Sequence, residues 1–253
     1  MFTGVGVALV TLFDDAGDVD LDATAAHAAD LAGRGVRAIV LAGSTGEAAA
    51  LDGAERVALT TVVRDAVPDD VPVLVGTGAP SARQAARLSA EVVAAGSAAV
   101  LALSGPGATD PVPYYREVVA AVAGAVPVLA YHFPAMSAPG VGVEALAALA
   151  DVGVAGIKDS SGDMSRLLRT LDVFPGWLFV GSPWLLSAAG ALGVTGAILA
   201  VANVEPETAA HAFAGDVAAQ RRLTPVNGRA AGPLGVKSVL AERWGRTLPV
   251  RVG

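Results

Sequence analysis

Eight short runs of apolar and β-branched residues recur along the chain, at 4–9, 38–41, 71–76, 98–103, 126–131, 154–157, 177–180 and 195–201. Each but the last is followed by a stretch with helical spacing, most of them alanine-rich, among them DLDATAAHAADLAGRG, SARQAARLSAEVVAAG and DMSRLLRTLD. Runs that are apolar throughout, rather than alternating with polar residues, belong to strands covered on both faces, as in a parallel sheet flanked by helices. Gly35, Gly96, Gly124, Gly153 and Gly193 stand where helices should stop before the next strand. This repetition predicts an α/β chain folded as a TIM (β/α)8 barrel over residues 1–203, with a shortened C-terminal helical extension of the same domain over 204–253. An open Rossmann-like sheet is the alternative. It has less behind it, because GVGVAL lacks the third glycine of the dinucleotide fingerprint and GTGAPS is only a glycine-rich turn.

Composition narrows the chemistry. A net charge of −7 excludes the basic footprint that nucleic-acid binding requires. There is no cysteine, hence no disulfide, thiol nucleophile or thiolate zinc site, and His27, His132 and His211 are widely spaced, so no metal is expected. The opening MFTGVGVALVTLFDD lacks the basic region and cleavage site of a secretory signal and reads as a first strand. Residues 173–204 carry no charge and are long enough to span a bilayer, but Pro175, Gly176, Gly181, Pro183, Gly190, Gly193 and Gly196 divide them into strand, helix and strand. The expectation is a cytoplasmic protein with no membrane partner.

In a TIM barrel the reactive groups stand at the C-terminal ends of the strands and in the loops that follow. That rule selects GSTGE (43–47), Tyr131 with HFPAMS, Lys158, and the pair Gly181 and Ser182. Lys158 is one of only two lysines in the chain, the other being Lys237. At the end of an apolar strand its ammonium form is disfavoured, which frees the amine to attack a carbonyl and form a Schiff base. The alternative is a lysine held by Asp159 or Asp163 at the barrel rim. Tyr131 ends the preceding strand and can shuttle a proton beside the same substrate, or simply pack. GSTGE offers two hydroxyls and successive backbone N–H groups as a carboxylate nest; otherwise Ser44 or Thr45 caps the next helix, with Glu47 in its first turn.

These motifs, with GVGVALVTLFDDAGDVD, VLAYHFPAMS, GIKDSSGD and GAILAVANVEPE, resemble in order and spacing the dihydrodipicolinate synthase/N-acetylneuraminate lyase family over nearly the whole chain. The resemblance implies a class I, Schiff-base-forming aldolase that acts on pyruvate or another 2-keto acid and an aldehyde, without cofactor or metal, as a homodimer or homotetramer. It implies Lys158 as the Schiff-base lysine, Tyr131 and Ser44 as proton-transfer residues, and Gly43, Thr45, Ser160 and Ile198 as substrate contacts, with Ser160 at the sugar-like part.

Departures bear on the subfamily. The strand-four loop reads LSGPGATDP and lacks a second relay tyrosine, a role left to Tyr114 or Tyr115 only if the loop folds back. Met136 stands where the synthases carry a carboxylate-binding arginine, Leu12 replaces a proline, and GSPW replaces a polar turn. The chain is also about forty residues shorter than typical members by that resemblance. The reading these support is retro-aldol cleavage of a 2-keto-3-deoxy sugar acid. The alternatives are 4-hydroxy-tetrahydrodipicolinate synthesis or a related dehydration, and a non-catalytic 2-keto acid binding protein.

Overall fold

The computed structural model describes residues 1–252. Eight parallel strands, β1 (Gly4–Ala8), β2 (Ile39–Leu41), β3 (Val73–Gly76), β4 (Ala99–Leu103), β5 (Val128–His132), β6 (Val154–Asp159), β7 (Trp177–Val180) and β8 (Gly196–Leu199), close into a barrel in chain order. Helices α1 (Leu21–Gly33), α2 (Gly53–Ala66), α3 (Ala82–Ala94), α4 (Val112–Val122), α5 (Leu146–Asp151), α6 (Met164–Val173), α7 (Leu186–Ala191) and α8 (Pro206–Phe213) cover the outside. Two more, α9 (Val217–Arg229) and α10 (Gly232–Trp244), complete the chain. The barrel expectation is met, and an open sheet is excluded by the β1–β8 pairing.

Both faces of the strands are apolar because two separate cores claim alternate residues. Phe2, Val40, Leu74, Leu101, Leu129, Phe179 and Ile198 fill the barrel interior. Val7, Ile39, Leu41, Val75, Val100, Ile157 and Leu199 face the helices. Strand ends differ from the sequence reading by a few residues, and one difference matters: β6 runs on through Lys158 and Asp159 because both are laddered to β5 and β7. The uncharged stretch 173–204 forms β7, a 3-10 turn, α7 and β8, and no described helix is long and apolar enough to cross a membrane.

Asn203 ties the last strand's loop back to the first. Its amide donates to Ala8 O at 2.7 Å and Ala200 O at 2.8 Å, while its oxygen accepts Val10 N at 3.1 Å and meets His27 Nε2 at 3.3 Å. Burial lowers the His27 pKa to about 4, against the raising effect of the Asn203 contact. An imidazole that stays neutral in the folded state and titrates near 6.5 when unfolded binds its proton preferentially in the unfolded chain between those values. Stability should therefore fall as pH drops from about 6.5 towards 4, by up to about 1.4 kcal/mol per pH unit from this group. Urea unfolding across that range checks it, and His27→Gln should flatten the slope.

Candidate active site

The parallel register of β5 and β6 pairs Tyr131 with Lys158. Both side chains point into the barrel, and Lys158 Nζ stands 4.3 Å from the centre of the Tyr131 ring. Lys158 is only 4% exposed, and a buried ammonium normally carries a counter-ion. Its acidic neighbours are engaged elsewhere. Asp159 accepts Arg166 Nε at 2.7 Å and Ser161 N at 2.7 Å, and Asp163 caps α6 through Ser165 N and Arg166 N. Among the described residues Lys158 has no ion-pair partner, so the alternative of a lysine held at the rim by Asp159 or Asp163 is overturned.

The Tyr131 hydroxyl takes a hydrogen bond from Ser160 Oγ at 3.3 Å and lies 3.4 Å from Ser44 Oγ. Burial opposes ionisation of this phenol, but the Lys158 charge and the two serine hydrogen bonds outweigh it and hold the phenol below the usual tyrosine range. Ser160 reaches this position because residue 181 is glycine: a Cβ there would collide with Ser160 Oγ and come within 3.0 Å of Lys158 Cε.

The GSTGE loop follows β2 and caps no helix. Asp52 caps α2 in a capping box with Glu55, and the 3-10 turn Ala48–Ala50 has no side-chain cap, which corrects the capping alternative for Ser44 and Thr45. Among the described residues neither the Ser44 nor the Thr45 backbone N–H donates to a protein acceptor. Free N–H groups on successive residues, with two hydroxyls, make a concave anion site. Gly43, Ser44, Thr45, Tyr131, Lys158, Ser160 and Ile198 all line one cavity of about 1170 Å³. The site residues expected from sequence are thus brought together.

Two expectations come out differently. Tyr115 is fully buried, with its hydroxyl donating to Ala102 O at 2.8 Å and accepting Tyr131 N at 3.3 Å. Tyr114 donates to Leu103 O or Ala79 O and accepts Ala79 N. Neither hydroxyl bonds to that of Tyr131, and burial raises the Tyr114 pKa to about 12. Both tyrosines staple α4 to the backbone of β4 and the β3 loop, so neither substitutes for a relay tyrosine. Met136 does line the cavity, 51% exposed. Among the described residues no cluster of three His, Asp or Glu side chains is arranged to hold a metal.

Sequence reasoning missed the residues that hold the loop from behind. Glu47, with φ 58°, accepts Lys237 Nζ at 2.6 Å, Arg251 N at 2.7 Å and Val252 N at 2.9 Å. Arg56 of α2 donates to Gly76 O at 2.6 Å, Ala42 O at 3.4 Å and Ala48 O at 2.5 Å. The partners are up to 205 residues apart. The only local signal was that the chain has a second lysine.

A closed (β/α)8 barrel with a buried, uncountered lysine against a tyrosine at its mouth defines an enzyme of the lyase and aldolase class. The Dihydrodipicolinate synthetase family matches over residues 1–223. An uncharacterized DapA-like lyase of Halobacterium salinarum is 40% identical over 210 residues, covering 81% of this chain and 68% of the relative. A probable mitochondrial 4-hydroxy-2-oxoglutarate aldolase of Emericella nidulans is 35% identical over 223 residues, covering 80% of this chain and 70% of the relative. The crystal structure of YagE, an Escherichia coli prophage protein in complex with pyruvate, superposes with a TM-score of 0.89 at 26% identity, covering 100% of this chain and 91% of that one. The chain belongs to the dihydrodipicolinate synthetase family, a family of lyases and aldolases.

Because the Tyr115 hydroxyl satisfies two buried backbone groups, Tyr115→Phe should lower unfolding free energy by about 1–3 kcal/mol in urea melts. It should leave any turnover of the folded enzyme within about threefold of the parent, since the ring of Tyr131 keeps its packing.

Proposed function

We propose that this enzyme cleaves a 2-keto-3-deoxy sugar acid to pyruvate and an aldehyde through a Schiff base on Lys158, with no cofactor. The observation that carries the reading is the burial of Lys158 without a counter-ion against the Tyr131 ring. The Lys158 amine attacks C2 of the keto acid, and the carbinolamine hydroxyl takes the Tyr131 phenol proton and leaves as water, giving an iminium and a Tyr131 phenolate. The C3–C4 bond then breaks, its electron pair passing into the iminium to give the enamine, while Tyr131 takes the C4 hydroxyl proton and Ser44 and Ser160 stabilise the phenolate through their hydrogen bonds. Tyr131 gives that proton to C3, and hydrolysis of the iminium releases pyruvate, restores the amine and returns a proton to Tyr131. The keto acid carboxylate sits on the Ser44 and Thr45 N–H groups beside Gly43, and Ile198 of the barrel interior floors the site.

The choice of substrate rests on charge. Of the cations lining the cavity besides Lys158, Arg56 is spent on three carbonyl oxygens and the exposed Arg87 is paired with Glu91 at 2.8 Å. Met136 offers no charge, so among the described residues the aldehyde end meets no free cation, while Ser160, Ser161 and Ser182 offer hydroxyls. A hydroxylated, uncharged aldehyde fits this surface better than aspartate semialdehyde, whose carboxylate would be left unpaired. Condensation to 4-hydroxy-tetrahydrodipicolinate is the second reading, favoured by the family match alone.

Borohydride with pyruvate should trap one covalent adduct, mapped by peptide mass to Lys158 and absent from Lys158→Ala. An adduct on Lys237, or none on the parent protein, defeats the Schiff-base assignment. Tyr131→Phe should still trap pyruvate while kcat for cleavage falls by about 10²–10⁴. Assayed side by side, 2-keto-3-deoxy sugar acids should exceed pyruvate plus aspartate semialdehyde in kcat/KM by at least about tenfold, a difference near 1.4 kcal/mol. The reverse order would favour the synthase reading.

A further inference from the structure

Glu47 and Lys237 stand behind the keto acid nest rather than beside Lys158, and both are sealed from solvent. We infer that Glu47, Lys237 and the backbone of 249–252 form a clamp that positions the Ser44–Thr45 nest and so sets affinity for the keto acid carboxylate. The inference rests on the nest binding that carboxylate, as proposed above.

The loop from 42 to 48 is bent at both ends through the left-handed region, at Ala42 (φ 48°) and Glu47 (φ 58°). L-residues enter that region at a cost, and neither residue is one of the types that tolerate it best. Something must hold them there. At the first bend Arg56 grips Ala42 O; on either side of the second, Thr11 Oγ1 donates to Gly46 O at 2.8 Å and Arg56 to Ala48 O at 2.5 Å. The tie on the bend residue itself is the Glu47 side chain, whose Oε1 accepts Lys237 Nζ and whose Oε2 accepts both Arg251 N and Val252 N.

Lys237 is fixed in turn by donating to Pro249 O at 2.7 Å and by lying 4.2 Å from the centre of the Phe13 ring. Arg251 stacks on the same ring at 4.5 Å, donates to Ala50 O at 3.0 Å and Gly17 O at 2.7 Å, and pairs with Glu55 at 2.7 Å. The 249–252 segment therefore spans from α10 across the far end of the loop, and Val252 lines the same cavity as Thr45. Thr45 is two residues from Glu47, so a rotation of Glu47 out of its bend re-aims the N–H groups that face the carboxylate. A positioning residue of this kind acts on binding of the keto acid more than on chemistry at Lys158.

The test is the double variant Glu47→Gln with Lys237→Met, which removes both charges together and keeps an oxygen for the Arg251 and Val252 amides. The readouts are the pyruvate concentration that half-saturates borohydride trapping and the trapping rate at saturation. Half-saturation should rise at least tenfold while the saturating rate stays within threefold of the parent. An unchanged half-saturation in the folded variant, or a fall in the saturating rate alone, overturns the clamp and leaves a purely structural ion pair.

A second measurement needs no variant. Pyruvate should slow amide hydrogen exchange at Arg251 and Val252 of the parent protein at least fivefold, because coupling between two sites is reciprocal; no change at those amides overturns the clamp. Failure of the parent to trap pyruvate defeats the Schiff-base reading instead, and the exchange measurement, which requires only binding, still judges the clamp.

Discussion

Moving a cation out of water costs several kcal/mol even after the protein relaxes around it, and this chain buries both of its lysines. Lys237, 1% exposed, is answered by the Glu47 carboxylate, a carbonyl and an aromatic face. Arg166 is answered by Asp159, and Arg56 by carbonyl oxygens at the end of the loop it supports. Lys158 lies in the same barrel with a ring face like that of Lys237 but with no carboxylate and no carbonyl, and beside it is an open cavity. The contrast with these cations singles out one amine, because the others are matched by carboxylates or carbonyl oxygens and Lys158 is not.

The isolation of Lys158 from carboxylates depends on the ladder. β6 cannot place Lys158 inside the barrel without placing Asp159 outside, since successive side chains of a strand point to opposite faces. Outside, Asp159 meets Arg166 of α6 and is withdrawn from the lysine next to it in sequence. The same alternation sets Tyr131 beside Lys158 and leaves its own amide to the hydroxyl of Tyr115 on α4. A single register between two parallel strands thus sets Lys158 against Tyr131 and turns the neighbouring carboxylate away from the lysine.

Much of this was legible from the residues alone. The barrel followed from the apolar runs, and Lys158, Tyr131 and GSTGE followed from the rule that strand ends carry chemistry, because those signals are local. The boundary of β6 was read one turn of the ladder too early, at 157, since Lys158 and Asp159 look like a polar loop until their partners on β5 and β7 are known. GSTGE was read with helix capping as an alternative, because small hydroxyl residues ahead of a helix give the same local pattern whether they cap it or not; Asp52, further on, does the capping. The roles of Tyr114, Tyr115, Glu47 and Lys237 were out of reach. Each is decided by a partner brought near by barrel closure or by α10, and no local spacing encodes a contact between residues 47 and 237.

The departures from the family pattern fall in a particular place. The positions that match lie on or directly after β1, β2, β5, β6 and β8, where ladder hydrogen bonds and the barrel core leave little freedom. Apart from Leu12, just after β1, the positions that differ, the 104–111 loop, Met136 and the turn Pro183–Leu185, lie in loops after β4, β5 and β7 that ladder bonding does not constrain. If the keto acid half is held as proposed, it contacts the constrained part, and the aldehyde half contacts the unconstrained part. Selectivity for the aldehyde then comes from hydroxyl contacts and apolar packing by Met136 and Trp184, whose individual contributions are about 1–3 kcal/mol. On that reading, Met136 in place of a cation on this rim alters which aldehyde is accepted, while the strand-borne residues around Lys158 are unchanged.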